Sequence, residues 1–201
     1  MSCKYFRAQR WNRFKESMKR PAIVVVDMQM WFTHVGSPLY FSEADRVADK
    51  IASFLEDIRG CDEVPVIFTK HVDMENGPMH RWWGNVLDEY SPYADIDRRF
   101  QGFAKYVVKK STYDAFYNTL LDDILVKESI DTLIILGVRT HLCVDTTARS
   151  AFVRGYHVVV PCDGVADKPH DVHECALKNL AYGIAHIPPL DEVRRWLGIV
   201  L

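Results

Sequence analysis

The sequence lacks the cysteine patterns of disulfide-stabilised and zinc-binding domains. It has an odd number of cysteines and no C-x-x-C pair; they are Cys3, Cys61, Cys143, Cys162 and Cys175. This spacing argues against a zinc ribbon and against a disulfide framework. Unpaired cysteines are typical of a reducing compartment, so we expect a cytoplasmic protein.

The chain also lacks a marked excess of charge and a long apolar segment. Its formal net charge of −2 gives no reason to expect a nucleic-acid partner. No apolar run approaches the roughly 20 residues of a membrane span, so no membrane partner is expected either. With 201 residues, 48% hydrophobic and 26% charged, the size and composition are those of one soluble globular domain.

Apolar strand patterns alternate with helical ones along the chain. Such alternation predicts βαβ units and a mainly parallel sheet. The predicted strands are 22–26, 64–69, 106–108, 132–136 and 156–160, with a sixth at 184–187. The predicted helices are 47–58, 115–126, one from Cys143, one from about 170 and one from about 190. Before the first of them, Ser42 with Asp45 resembles a capping box.

Residues 1–20 differ from the rest of the chain. They are strongly basic, with Glu16 as their one acidic residue. Apolar residues recur three or four positions apart, as on one helical face: Tyr5, Ala8, Trp11, Phe14 and Met18. We interpret 1–20 as a helical extension that packs on the body or on a partner subunit, and 21–201 as the main domain. A transit peptide is the alternative, although the segment has few serines.

Cys143 lies where a buried strand passes into a helix. The run Thr132–Leu136 is apolar or β-branched, Gly137 follows it, and helical spacing begins at the cysteine. The free N–H groups and the dipole of a helix N-terminus favour an anion, so a thiol there is expected to ionise more readily. A catalytic nucleophile is therefore one interpretation, and a small buried apolar residue is the other.

Two other strand ends carry ionisable residues. Asp27 ends the apolar run Pro21–Val26, and Lys110 follows a short strand pattern. Ligands of parallel α/β folds bind at the carboxyl ends of the strands, so these two residues and Cys143 can converge on one crevice. Taken singly, each has another explanation: a surface aspartate, a solvated lysine or a core cysteine.

These segments resemble the isochorismatase-like cysteine hydrolases. The matching motifs are DMQ with Asp27, KSTYDAF with Lys110, GVRTHLCVDTTARSAF with Cys143, and RGYHVVVPCDGVAD, from about residue 21 to about 188. Lys110 rather than Lys109 matches the family lysine, because it stands three residues before Tyr113. The resemblance implies a Rossmann-like three-layer fold, with about six strands and helices on both faces, and an Asp-Lys-Cys triad.

The resemblance also implies a mechanism. Asp27 would accept the proton of Cys143, whose sulfur attacks the amide carbonyl and forms a thioester, while Lys110 would favour the thiolate. The backbone amides of Cys143 and Arg139 would form the oxyanion hole, next to a cis peptide at Val138–Arg139. Small residues are more usual at the Arg139 position; its guanidinium could hold a substrate carboxylate or form a surface or subunit salt bridge.

A divalent metal such as Zn²⁺ is a further expectation from the resemblance. Nicotinamidases of the family bind one through an Asp-x-His pair and further histidines. Here the order is reversed, in His71-Val-Asp73, with His80 beyond. Two imidazoles and a carboxylate could make an open zinc site. Otherwise His71 lines the pocket or bonds backbone, and no cofactor is required.

Aromatic residues are expected to form the substrate pocket. Phe32 and Tyr113 are its predicted walls, and Trp82 and Trp83 belong to a candidate lid in the irregular stretch 71–103. The tryptophans could equally be core or subunit-contact residues. We expect an amidohydrolase for a small linear amide of the carbamoyl or ureido type, working as a homodimer or homotetramer. Nicotinamide is the alternative substrate, isochorismate the third, and a silent binding protein the alternative of another class.

Overall fold

A computed structural model describes residues 3–60, 63–84 and 87–199. Cys61 therefore lies outside the described residues. The described part alternates strands and helices as the sequence predicts. The strands are β1 Pro21–Val26, β2 Val66–His71, β3 Tyr106–Lys110, β4 Thr132–Val138, β5 His157–Val159 and β6 Val165–Ala166. The helices are α1 Ala8–Phe14, α2 Met30–Thr33, α3 Ser42–Asp57, α4 Pro78–Trp83, α5 Leu121–Lys127, α6 Asp145–Val153, α7 His170–Gly183 and α8 Leu190–Trp196.

All of the paired strands are parallel, and their order across the sheet is β3-β2-β1-β4-β5. The long strand β4 pairs β5 along its first half and β6 at its last residues, Gly137 and Val138. The predicted six-stranded parallel sheet is thus confirmed. The sixth strand is β6, however, and not 184–187, which contributes only a bridge between Val159 and His186.

Alternate residues of the central strands face two separate hydrophobic layers. On one side Ile23 and Val25 of β1 belong to a cluster with α3, α8 and Trp11 of α1. On the other side Ala22 and Val24 belong to a cluster with α5, α6 and α7. Strands that are apolar on both faces are typical of a sheet covered by helices on both sides, which is the predicted three-layer fold.

The N-terminal segment packs against the body of the chain. Trp11 is buried and meets the rings of His186 and Trp196 edge-on, at centroid distances of 5.7 and 5.5 Å. The backbone amides of Lys19 and Arg20 donate to the Asp131 carboxylate. The segment is therefore held by the body within one chain, and β1 begins at Pro21. The division into an extension and a main domain stays a prediction.

Two local predictions about helix ends are wrong. The helix predicted over 115–126 begins at Leu121, because Asn118 is in the left-handed region (φ +53°) and the Thr119 hydroxyl accepts from the Leu121 amide. The predicted capping box does not form: Phe41 is the N-cap of α3, and the Ser42 hydroxyl bonds the Glu43 carboxylate instead. No helix in these described ranges is long and apolar enough to cross a bilayer.

Candidate active site

Asp27, Lys110 and Cys143 meet at the carboxyl ends of three strands. Asp27 follows β1, Lys110 ends β3, and Cys143 lies just after β4. The Lys110 Nζ is 2.7 Å from the Asp27 Oδ2 and 3.4 Å from the Cys143 Sγ. All three side chains are buried. The parallel sheet therefore brings the three predicted residues into one cluster, with the ammonium between the carboxylate and the sulfur.

The backbone around Asp27 is constrained on two sides. Asp27 itself is in the left-handed region (φ +50°), its amide donates to the Thr69 hydroxyl, and that hydroxyl donates back to its Oδ1 at 2.6 Å. On the other side Gly137 of β4 (φ +112°) lies against β1. A Cβ there would sit 2.1 Å from the Val26 carbonyl oxygen, so only glycine fits.

Lys110 is enclosed by acceptors. Besides Asp27 and Cys143, its Nζ meets the Thr112 carbonyl oxygen at 2.8 Å and the His71 Nδ1 at 3.4 Å. Burial alone would lower the lysine pKa, but the charge of Asp27 and the hydrogen bonds to Asp27 and Cys143 outweigh it, and the pKa of Lys110 is raised. The ammonium is therefore retained at neutral pH, where it balances the negative charge of the Asp27 carboxylate.

The thiol of Cys143 is harder to ionise than the sequence suggested. Cys143 lies in a π-helical turn, Thr140–Val144, which leads into α6. Burial raises its pKa to about 12; Lys110 opposes this shift, and the Asp27 carboxylate adds to it. The expectation of easy ionisation is wrong, because the desolvation of the buried sulfur outweighs the opposing effect of Lys110.

The backbone of Arg139 lies beside that of Cys143. The amides of Leu142 and Val144 both donate to the Arg139 carbonyl, at 3.1 Å each, so the turn folds back on this residue. The Val138–Arg139 peptide is cis, at the position that the resemblance indicates.

A cavity of about 120 Å³ opens onto the cluster. Asp27 and Cys143 are at its floor, and Phe32, Trp83 and Tyr113 line it as predicted; the other lining residues are Trp31, Leu39, His71, Asp73, Met79, Arg139 and Leu142. Trp82 is not among the lining residues, and its side chain is 78% exposed. Most of the wall is apolar or aromatic, with a few polar groups near the floor, which is the usual character of a small-molecule site.

Helix α4 forms one rim of the cavity. It presents Met79 and Trp83 to the interior, and the Trp83 Nε1 donates to the Tyr113 hydroxyl at 2.7 Å. Trp83 is 51% exposed and Trp82 more so, so the alternative that the two tryptophans are core residues is wrong. A rim held by one side-chain hydrogen bond to Tyr113 is suited to contacting a bound molecule.

The predicted metal ligands do not gather into a site. The His71 Nε2 bonds the Asp73 Oδ1 at 2.8 Å, and the Asp73 Oδ2 accepts from the Leu87 amide at 2.6 Å. The His80 Nδ1 accepts from the Asn76 amide within its own turn. Over residues 3–60, 63–84 and 87–199 no three ligating side chains cluster. The three predicted ligands are thus hydrogen-bonded to groups of the protein, and they do not fit the metal site that the resemblance implies. Metal binding stays a prediction.

Three residues that support the site were not found from the sequence. Gln29 joins the end of β1 to β2, since its side chain accepts from the His71 amide and donates to the His71 carbonyl. Thr69 fixes Asp27. Asp167, buried beside β6, accepts from Arg139 and from the His141 amide. A polar residue inside an apolar strand, such as Thr69, is the one signal that could have indicated such a role.

The sequence matches the isochorismatase-domain family model over residues 21–190, most of the chain. Among its relatives, Nicotinamidase 3 of Arabidopsis thaliana is 33% identical over 186 residues, which cover 89% of each chain. N-carbamoylsarcosine amidase of an Arthrobacter species is 26% identical over 89% of this chain and 71% of that one. Fold and relatives define the class as an amidohydrolase that acts on C–N bonds of non-peptide amides. The chain belongs to the isochorismatase family.

Solved structures agree with this assignment. An isochorismatase-like hydrolase from Alkaliphilus metalliredigens superposes with a TM-score of 0.83 at 25% identity, covering 89% of this chain and all of that one. N-carbamoylsarcosine amidase from Thermoplasma acidophilum superposes with a TM-score of 0.76 at 27% identity, covering 86% and 98%. The parallel sheet and its flanking helices are therefore those of this family.

Proposed function

We propose that the protein is a cysteine-dependent amidohydrolase that cleaves a small carbamoyl or ureido amide through a thioester. The observation that carries the proposal is the buried contact of Lys110 with both Asp27 and Cys143, at the floor of a small cavity. A carboxylate, an ammonium and a thiol in contact supply a base, a fixed positive charge and a nucleophile.

The first half of the reaction begins from the neutral thiol. As the Cys143 sulfur attacks the carbonyl carbon, its proton passes to the Asp27 carboxylate, so no free thiolate has to persist. Lys110 offsets the negative charge of the cluster as the proton leaves. The tetrahedral intermediate then collapses, the C–N bond breaks, and Asp27 returns the proton to the departing amine. The products of this half are the free amine or ammonia and the acylated Cys143, which is a thioester for a carboxamide and an S-carbamoyl thiocarbamate for a ureido substrate.

The second half regenerates the enzyme. A water molecule attacks the thioester carbonyl, and Asp27 takes one of its protons. The C–S bond breaks, the acid product is released, and the proton returns to the Cys143 sulfur. The thiol pKa of about 12 means that the sulfur leaves readily only if Asp27 delivers this proton at the same time.

The oxyanion of both intermediates would accept hydrogen bonds from the backbone amides of Arg139 and Cys143. Support for this role comes from the turn, which holds the two residues side by side through the Arg139 carbonyl. Removing an oxyanion-hole donor typically costs about a hundredfold to a thousandfold in kcat, so the turn is a large contributor to the proposed rate.

Nicotinamide is the second candidate substrate. Phe32 and Trp83 give the cavity two aromatic surfaces on which a flat ring could pack, and one relative is named a nicotinamidase. The proposal is tested by measuring ammonia release from nicotinamide, N-carbamoyl amino acids and ureido acids. Release from nicotinamide alone would replace the carbamoyl or ureido assignment with the second candidate.

The cysteine mechanism has its own test. Cys143→Ala should lower kcat by at least about a thousandfold, because no other group at the floor can form the thioester. Cys175→Ala is the matched control, since this thiol is free and exposed, and it should retain full activity. Substantial turnover by Cys143→Ala would refute the mechanism.

The expected assembly, location and metal content remain proposals. A homodimer or homotetramer would be contradicted by a monomeric mass in light scattering at micromolar concentration. A metal requirement would be shown by loss of activity on dialysis against a chelator and its return with Zn²⁺. The cytoplasmic location can be checked by cell fractionation.

A further inference from the structure

The guanidinium of Arg139 lies at the cavity wall and is only partly engaged. Its Nε donates to the Asp167 Oδ1 at 2.8 Å, and its Nη2 donates to the Lys168 carbonyl. The side chain is 23% exposed, and its guanidinium carbon lies 5.4 Å from the ring centre of Phe41. These contacts fix the plane of the guanidinium beside the opening of the site.

Part of the guanidinium donor capacity is free. A guanidinium has five N–H groups, and the contacts of Arg139 use one on Nε and one on Nη2. Among the residues that the structure describes, Nη1 has no hydrogen-bond acceptor. Asp167 pairs with Nε alone, because its carboxylate is otherwise occupied by the amides of His141 and Lys168 and by the His141 ring.

The other charged groups at the cavity are already paired. One oxygen of the Asp27 carboxylate pairs with the Lys110 ammonium, and the other accepts a hydrogen bond from the Thr69 hydroxyl. Asp73 has the His71 ring on one oxygen and the Leu87 amide on the other. Among the charged residues of the described lining, Arg139 is thus the one with N–H groups that lack an acceptor. The rest of the wall is mostly apolar.

We infer that Arg139 binds a carboxylate of the substrate, so that the substrate is a small amide acid rather than a neutral amide. The inference rests on the proposed function and narrows its substrate class. A carboxylate fits the planar edge of a guanidinium through two parallel hydrogen bonds. Because the Arg139 backbone belongs to the turn that holds Cys143, an acid bound there places a neighbouring carbonyl group near the sulfur.

The experiment compares acids with smaller neutral amides that lack the carboxylate. One pair is N-carbamoylglycine and N-propylurea, and the other is maleamic acid and (Z)-but-2-enamide. The wild-type enzyme should favour the acid of each pair in kcat/KM. In Arg139→Gln the acid-to-neutral ratio should fall by about ten- to a hundredfold, as expected for the loss of a charge-assisted hydrogen bond, mainly through KM for the acid. Arg139→Lys should retain part of the ratio.

Two further variants separate recognition from a structural role. Arg81→Gln removes an exposed cation from α4 outside the cavity lining, and the ratio should not change. Asp167→Asn removes the competing carboxylate but leaves the guanidinium, so the ratio should rise or hold. If Arg139 only anchors Asp167, Arg139→Gln and Asp167→Asn should lower the rates for both members of each pair equally, and the inference is overturned.

The inference and the proposed function can fail separately. Hydrolysis of the neutral amides with no preference for the acids would leave the proposed function standing and overturn the inference. If none of the four compounds is hydrolysed, the carbamoyl and ureido proposal fails. Equilibrium binding of maleamic acid and (Z)-but-2-enamide to the wild-type protein then decides the inference: tighter binding of the acid, lost in Arg139→Gln, supports it, and equal binding overturns it.

Discussion

The floor and the rim of the cavity are built in different ways. The floor consists of the Asp27 and Cys143 side chains, which follow strands, are buried and both contact the buried Lys110 ammonium. The rim is the short helix α4, whose residue Trp83 is half exposed and whose hydrogen bond to Tyr113 joins it to the segment after β3. The floor can therefore fix reacting groups closely, whereas the rim can adapt to what is bound.

The largest expected effect tests the buried ion pair between Lys110 and Asp27. Lys110→Met leaves the Asp27 carboxylate buried without its ion-pair partner, so the free energy of unfolding should fall by about 3–5 kcal/mol. The adjacent Lys109 is the matched control, because its ion pair with Glu89 is exposed. Lys109→Met should change stability by less than about 1 kcal/mol.

Urea unfolding of both variants measures this difference. The double variant Asp27→Asn with Lys110→Met should recover much of the loss, because no unpaired charge remains in the interior. Equal stability of the Lys110 and Lys109 variants would show that the floor is not a buried ion pair.

The second prediction tests how closely the strands of the floor must approach. Gly137→Ala places a Cβ against the Val26 backbone and forces an alanine into φ +112°, so stability should fall by about 2–3 kcal/mol or more. Activity should fall as well, because Asp27 follows Val26. Gly183→Ala, at the end of α7 with open space around it, should be neutral or slightly stabilising. Thermal unfolding compares them, and a silent Gly137→Ala would contradict the close approach.

The residues of the floor could be predicted from the sequence, but the sixth strand and the raised pKa of Cys143 could not. Asp27 and Cys143 each follow an apolar strand pattern, and parallel strands align their carboxyl ends, so a local signal indicated them. The choice of Lys110 over Lys109 depended on the family resemblance. β6 has two residues and no periodicity of its own, so its pairing with Gly137 and Val138 depends on tertiary contacts. The raised pKa of Cys143 was missed because it depends on how many atoms surround the sulfur, which no local pattern records.

The third prediction tests the rim. Trp83→Ala should lower kcat/KM by about tenfold to a hundredfold, since it removes an aromatic wall and the hydrogen bond to Tyr113. Trp82→Ala on the same helix is the matched control, and its effect should be less than about threefold, because that ring faces solvent. Both melting temperatures should stay close to the wild-type value. Equal kinetics for the two variants would remove Trp83 from the substrate site.

The smallest expected effect tests how burial of the Cys143 thiol changes the stability of the protein with pH. The Cys143 pKa rises from about 9 in the unfolded chain to about 12 in the folded protein, so the unfolded state loses its proton first. The stability that this thiol contributes is fully present below pH 9 and declines as the pH rises towards 12. Between pH 9 and 10 the wild-type protein should lose about 1 kcal/mol more than Cys143→Ala does. Urea unfolding of the wild type and of Cys143→Ala at the two pH values measures this difference. A thiol ionised by Lys110 at neutral pH would give the opposite order, with Cys143→Ala losing as much stability as the wild type or more.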